Sequence, residues 1–139
     1  MKERTLAMVK PNAVAKHVTG KIISMWEDNG FEVVQIKKVH LTRPQAAGFY
    51  REHEGKSFFD ALVGFMTSGP IFILVLEKDN AIEDNRRLMG ATDPSKAAEG
   101  TIRKLFADSL QENAVHGSDS PASAAREITY YFNVFETNP

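Results

Sequence analysis

Apolar residues along this chain alternate between short runs and helical spacings, punctuated by proline and glycine. The segment from Thr5 to Val9 is apolar and closes on Lys10-Pro11, which predicts a strand ending where proline stops the pairing. Val18, Ile22, Ile23 and Trp26 recur at helical spacing, with Asn29-Gly30 as the stop. Phe31 to Val39 turns to β-branched residues in rough alternation, a second strand. Thr42-Arg-Pro-Gln45 has the form of a capping box with proline in the first turn, opening a helix through Tyr50. A further helix starts at Ser57-Phe-Phe-Asp60 and ends near Met66. Ile71 to Leu76 is apolar without interruption, the mark of a central strand covered on both sides. Asn80 to Met89 reads as helix with Gly90 at its end. Residues 91 to 115, with Pro94 and Gly100, are irregular apart from one helix around Thr101 to Ala107. Ser120-Pro121 supplies an N-cap followed by proline, and the last helix runs to about Phe132.

The order is β-α-β-α-α-β-α-loop-β-α, with a short last strand ending at His116. This split βαβ pattern predicts an α+β, ferredoxin-like fold: a four-stranded antiparallel sheet with helices packed around it, chiefly on one face. With 139 residues, the expectation is a single domain over 1–139. Hydrophobic content of 42% and charged content of 25% are those of a soluble globular protein. A net charge of −1 gives no field for nucleic acid or an acidic membrane, but leaves room for a local basic pocket. The absence of cysteine excludes disulfides, thiolate metal sites and cysteine nucleophiles, and suits a reducing interior. The apolar run after Met-Lys-Glu-Arg-Thr is too short for a signal peptide or a membrane span, so a cytoplasmic protein is expected.

Candidate chemistry is scattered. Gly55-Lys56-Ser57 imitates the end of a phosphate loop, but position 50 is tyrosine where that loop needs glycine, and no strand precedes it. A capped helix start accounts for Ser57, and any phosphate chemistry must use another architecture. Lys10 stands at a strand end; Arg86 and Arg87 lie late in a helix, where they offset its dipole; Thr92 and Arg103 fall in the irregular region. Phe58 and Phe59 are adjacent and cannot both face the core, so one is available as a stacking surface. His17, His40 and His53 have no comparable polar neighbourhood and default to the surface. His116 differs: it sits at a strand-to-turn junction, Gly117 permits close backbone approach or an unusual φ, and Ser118 and Glu127 are placed to return towards it. A carboxylate beside an imidazole orients the ring, as a covalent histidine catalyst needs. From spacing alone, a capped turn with a solvated histidine and a catalytic centre stay equally open.

Asn113-Ala-Val-His-Gly-Ser-Asp-Ser closely resembles the active-site signature of the nucleoside diphosphate kinases, Asn-x-x-His-Gly-Ser-Asp. Glu3-Arg-Thr-Leu-Ala-Met-Val-Lys-Pro-Asn12, Phe58-Phe, Met66-Thr-Ser-Gly-Pro70, Arg87-Leu-Met-Gly-Ala-Thr-Asp-Pro94 and Gly100-Thr-Ile-Arg103 follow in that family's order and spacing, from about residue 3 to residue 132. The resemblance implies a ping-pong phosphotransferase in which ATP phosphorylates a histidine and another nucleoside diphosphate collects the phosphoryl group. It implies His116 as the phosphorylated nucleophile, Ser118 and Glu127 as its supports, and Tyr50 close by. It further implies Lys10, Arg86, Thr92 and Arg103 on the phosphates, Asn113 on the ribose and Phe58 on the base. Mg²⁺ is then held mainly by the nucleotide phosphates, and the expected partners are ATP and other nucleoside di- and triphosphates. A homo-oligomer, tetramer or hexamer built from dimers, is also implied, with neither membrane nor specific nucleic acid as a partner. The chain departs from the family at Asn12-Ala13, commonly Asp-Gly; at Lys16, often arginine; at Leu105, often acidic; and at Asp93, usually asparagine. None touches the implied chemistry, but Leu105 and Asp93 bear on the packing of the long loop. A nucleotide-binding module of the same fold without turnover is the rival reading; retention of His116 and Arg103 favours the enzyme.

Overall fold

The computed structural model describes residues 1–137. Its centre is a four-stranded sheet of order β2-β3-β1-β4, antiparallel at every junction. The strands are β1 (Lys2–Val9), β2 (Glu32–Val39), β3 (Ile71–Asp79) and β4 (Val115–Gly117). Helices α1 (Pro11–Ala15), α2 (Thr19–Asp28), α3 (Arg43–Phe49), α4 (Phe59–Met66), α5 (Ala81–Met89), α6 (Ile102–Phe106) and α7 (Pro121–Tyr131) connect and cover them. Short 3₁₀ turns lie at Arg51–His53 and Pro94–Lys96. The ferredoxin-like α+β arrangement is therefore as expected.

The helices, however, cover both faces rather than chiefly one. Side chains alternate along a strand, so Ala7 and Val9 of β1 join Leu74 and Leu76 of β3 on one face, under Ala13, Ile22, Trp26 and Met89. Leu6 and Met8 turn the other way, with Ile71, Ile73 and Val75, against Ala46, Phe49, Val63 and Met66. The run Ile71 to Leu76, apolar at every position, has no polar face to offer water, which is why this part of β3 requires cover on both sides. Fully burying side chains of this size stabilises by about 1.5–3 kcal/mol each, so the two layers carry the fold.

Other differences are local. The Lys2–Asp79 to Val9–Phe72 ladder carries β1 and β3 outward into charged residues that pair at the sheet's end. Pro11 does more than end β1: it occupies the first turn of α1, which the sequence pattern did not predict. Ser57 is not a cap; the residue preceding α4 is Phe58, and no side chain caps that helix. Asp93 accepts a hydrogen bond from the Ser95 amide at 3.0 Å and so starts the Pro94–Lys96 turn, while Leu105 is exposed. Thr42 and Ser120 form the expected capping arrangements of α3 and α7.

Candidate active site

β4 is only three residues long and hangs on the edge of β1, with Met8 opposite His116 and Val9 opposite Val115. Val115 enters the layer beneath α2 and α5, so the neighbouring His116 faces the opposite way, towards α7. Gly117 makes this close approach possible. A Cβ there would lie 2.5 Å from Asn85 Nδ2 and 2.8 Å from the Met89 methyl, so space rather than an unusual φ requires glycine. Asn85 is fixed in turn by the indole N–H of Trp26, which donates to its Oδ1 at 2.8 Å.

Helix α7, started by Ser120 and Pro121, brings Glu127 back to the histidine. His116 Nε2 and Glu127 Oε1 are 2.9 Å apart, and Ser118 Oγ donates to the same oxygen at 2.9 Å. Ser118 Oγ also accepts from the Leu6 amide at 3.1 Å, which ties the pair to β1. Burial pushes the Glu127 carboxyl up, but its bonds to His116 and Ser118 and the charge of Arg126 outweigh this and leave its pKa below the usual value. With Nε2 engaged by Glu127, Nδ1 is the ring nitrogen left without a hydrogen-bond partner among the described residues.

Lys10 leaves the end of β1 with its amide bonded to the Ala114 carbonyl at 2.8 Å and its ammonium on Asn113 Oδ1 at 2.9 Å. Burial, and secondarily the charge of Arg103, lower the Lys10 pKa to about 7. Arg103 spans three carbonyls, donating to Asn113 at 3.3 Å, Gly90 at 3.0 Å and Val115 at 2.9 Å. Burial and the Arg86 charge bring its pKa down to about 10, against the opposing pull of Asp119, so it remains a cation at neutral pH. Asn113 Nδ2 donates to the Leu110 carbonyl at 2.9 Å, which closes the loop end on itself.

These groups meet in a cleft of about 360 Å³ lined by Lys10, Tyr50, Arg86, Thr92, Arg103, Asn113, His116 and Glu127. Ser118 is fully buried behind Glu127 rather than on the cleft wall. Among the described residues, Arg86 and Thr92 have no side-chain hydrogen-bond partner. The Tyr50 hydroxyl is likewise unpaired, and burial together with Glu127 raises its pKa, so it stays a neutral phenol. Phe58 is exposed while Phe59 packs into the core. A larger cavity of about 560 Å³ shares Arg86, Met89, Thr92 and Arg103 with this cleft, but neither His116 nor Glu127 lines it.

Sequence reasoning missed His53. It lines the cleft, its ring 6.4 Å from Tyr50 and 5.3 Å from Phe58, on the 3₁₀ turn between α3 and α4. The one available signal was its position between two residues already singled out. Arg126, Glu52 and Asp119 also line the cleft unpredicted.

An imidazole oriented by a carboxylate, in a cleft it shares with a lysine and two arginines, is equipped for group transfer from an anionic substrate, the province of a histidine phosphotransferase. The nucleoside diphosphate kinase family model matches residues 3–137. A nucleoside diphosphate kinase of Sorangium cellulosum is 53% identical over 137 residues, covering 99% of this chain and 95% of that protein. Among solved structures, the Aquifex aeolicus nucleoside diphosphate kinase superposes with a TM-score of 0.96 at 40% identity, over 99% of this chain and 100% of that one. A halophilic nucleoside diphosphate kinase from Halobacterium salinarum, solved in complex with CDP, gives 0.96 at 41% identity, over 100% and 93% of the two chains. This chain belongs to the nucleoside diphosphate kinase family.

Proposed function

We propose that His116 Nδ1 is the atom through which this nucleoside diphosphate kinase passes its phosphoryl group. The reading rests above all on the 2.9 Å contact of His116 Nε2 with a buried carboxylate at the wall of a cationic cleft. Nδ1 attacks the γ-phosphorus of ATP as the bond to the bridging oxygen breaks, and ADP leaves with that electron pair. Glu127 holds the Nε2 proton throughout and offsets the positive charge that develops on the ring. A second nucleoside diphosphate enters, its terminal oxygen attacks phosphorus, and the N–P bond breaks to restore the imidazole. Phosphoryl transfer needs positioning and distributed positive charge, and Lys10, Arg86 and Arg103 with Thr92 are the groups placed to supply it. Arriving phosphate favours the charged amine at Lys10, so substrate binding draws a proton onto it. Asn113 is assigned to the ribose. Phe58 does not line the cleft itself, but it is exposed and its ring lies 5.3 Å from that of His53, which does; it is assigned to the face of any base.

Among the described residues, no group of three or more histidine, cysteine or acidic side chains is arranged to hold a metal. Asp119 is a cleft carboxylate with no side-chain hydrogen bond among the described residues, so the residues fit Mg²⁺ carried in on the phosphates. An ion held there, with Asp119 the carboxylate beside it, would supply charge neutralisation at the phosphates. The whole chain acts as one domain in this reading, in the cytoplasm, as a homo-oligomer. Exposed Ile36 on the edge strand β2, with Val134 and Phe135, are apolar side chains a second copy would cover.

Incubation with γ-labelled ATP tests the proposal. The label is expected in an acid-labile, alkali-stable form, to be chased by GDP or CDP, and to be absent from His116→Ala. Normal labelling of that variant, or no transfer to a second diphosphate, would overturn it.

A further inference from the structure

Glu127 fixes one atom of the His116 ring, but a single hydrogen bond at Nε2 leaves the ring free to tilt about it. A second restraint comes from Phe49, the last residue of α3, which is buried with its ring 5.7 Å from the imidazole at 77°. That edge-to-face geometry is the favoured one for aromatic pairs. Phe49 is itself held by Arg126. The guanidinium lies 5.5 Å from the Phe49 ring centroid and donates to the Phe49 carbonyl at 3.3 Å. This carbonyl belongs to the last turn of α3, where a helix leaves acceptors without internal partners and a cation is favourable. Arg126 has no carboxylate partner among the described residues, and it precedes Glu127 on α7 by one residue. Adjacent helical residues point in different directions, so α7 reaches His116 with one side chain and the wall behind His116 with the other.

We propose that Phe49 and Arg126 are positioning residues that fix the plane of the His116 ring, Glu127 fixing its direction, so that Nδ1 faces the cleft. Phe49 supplies the wall, and Arg126 locks that wall to the helix that carries Glu127. The proposal deepens the assignment of His116 as nucleophile and rests on it.

The test uses the full chain with Arg126→Met, Arg126→Lys and Phe49→Leu, and nitrogen NMR of the histidine rings in the free protein. The native protein is expected to show His116 as one tautomer with its proton on Nε2. Arg126→Met and Phe49→Leu are expected to show an averaged ring. Their rate of phosphorylation by ATP should fall about tenfold, with KM within about twofold, as misorientation without loss of a substrate contact demands. Arg126→Lys, which keeps a donor for the Phe49 carbonyl, should recover most of the rate. Unchanged His116 signals and rate in Arg126→Met would overturn the proposal. A raised KM at constant rate would do so too, by making Arg126 a substrate-binding cation. If Phe49→Leu fails to fold, the two Arg126 variants still decide the matter. Labelling that survives in His116→Ala would instead remove the nucleophile assignment, while the NMR reports separately on the ring.

Discussion

Replacing Lys10 by methionine should stabilise the ligand-free protein, and by an amount that depends on pH. The ammonium is buried at the end of β1, with Asn113 Oδ1 as its hydrogen-bond acceptor and Arg103 as a like-charged neighbour. Its pKa falls from 10.5 to about 7, because the charged form is the one that burial penalises. Below about pH 7 both folded and unfolded chains carry the proton, and the folded state bears the whole cost. Between about 7 and 10.5 the unfolded chain still binds a proton that the folded one has released, so this group makes stability rise with pH. Above both values the effect is gone. At about 1.4 kcal/mol per pH unit, the full penalty is roughly 4–5 kcal/mol. Methionine leaves Asn113 Oδ1 without its donor, which costs about 1 kcal/mol, so a net gain of about 3 kcal/mol is expected at pH 6. Urea unfolding of both proteins at one protomer concentration, from about pH 6 to pH 10, measures it. Taking the difference between the two proteins at each pH cancels every other titrating group. The advantage of the variant should stay near its full size up to about pH 7 and shrink from there towards pH 10. A difference that stays flat with pH, or a variant less stable at pH 6, would refute the account of Lys10 as a desolvated cation. The same variant should lose nucleotide affinity, so stability and function oppose each other at this position.

Phe58→Leu removes an aromatic face without entering the core; KM should rise about tenfold for purine and pyrimidine diphosphates alike, with kcat nearly unchanged in steady-state assays. Gly117→Ala places a methyl group against Asn85 and Met89 and should cost about 1–3 kcal/mol in urea unfolding. Combining it with Asn85→Ala should recover part of that loss, and strictly additive losses would show that the contact is not the cause.

Much of the fold is legible in local pattern. The run Ile71 to Leu76 announces a central strand, and Ser120-Pro121 announces the start of α7, because strand burial and helix capping are written within a few neighbouring residues. Pro11 misled because one proline both ends a strand and begins a helix, and only the chain's path after it distinguishes the two. The Gly55-Lys56-Ser57 segment suggested a cap that the backbone does not use. Site geometry is less local. Lys10 and Asn113 are 103 positions apart and meet only because β4 pairs with β1, a fact no periodicity contains. His53 has neighbours in sequence that say nothing of the cleft it lines; a 3₁₀ turn sets its direction. The resemblance to a known family singled out Lys10 and Asn113 where spacing did not, but it left His53 unmarked.

Arg103 grips the carbonyls of Gly90, Asn113 and Val115, which lie at the end of α5, at the end of the long loop and on β4. One guanidinium thus clasps three segments of backbone around the cleft it lines. Every one of those bonds ends on a main-chain oxygen, so the clasp depends on the path of the chain and not on which side chains occupy positions 90, 113 and 115.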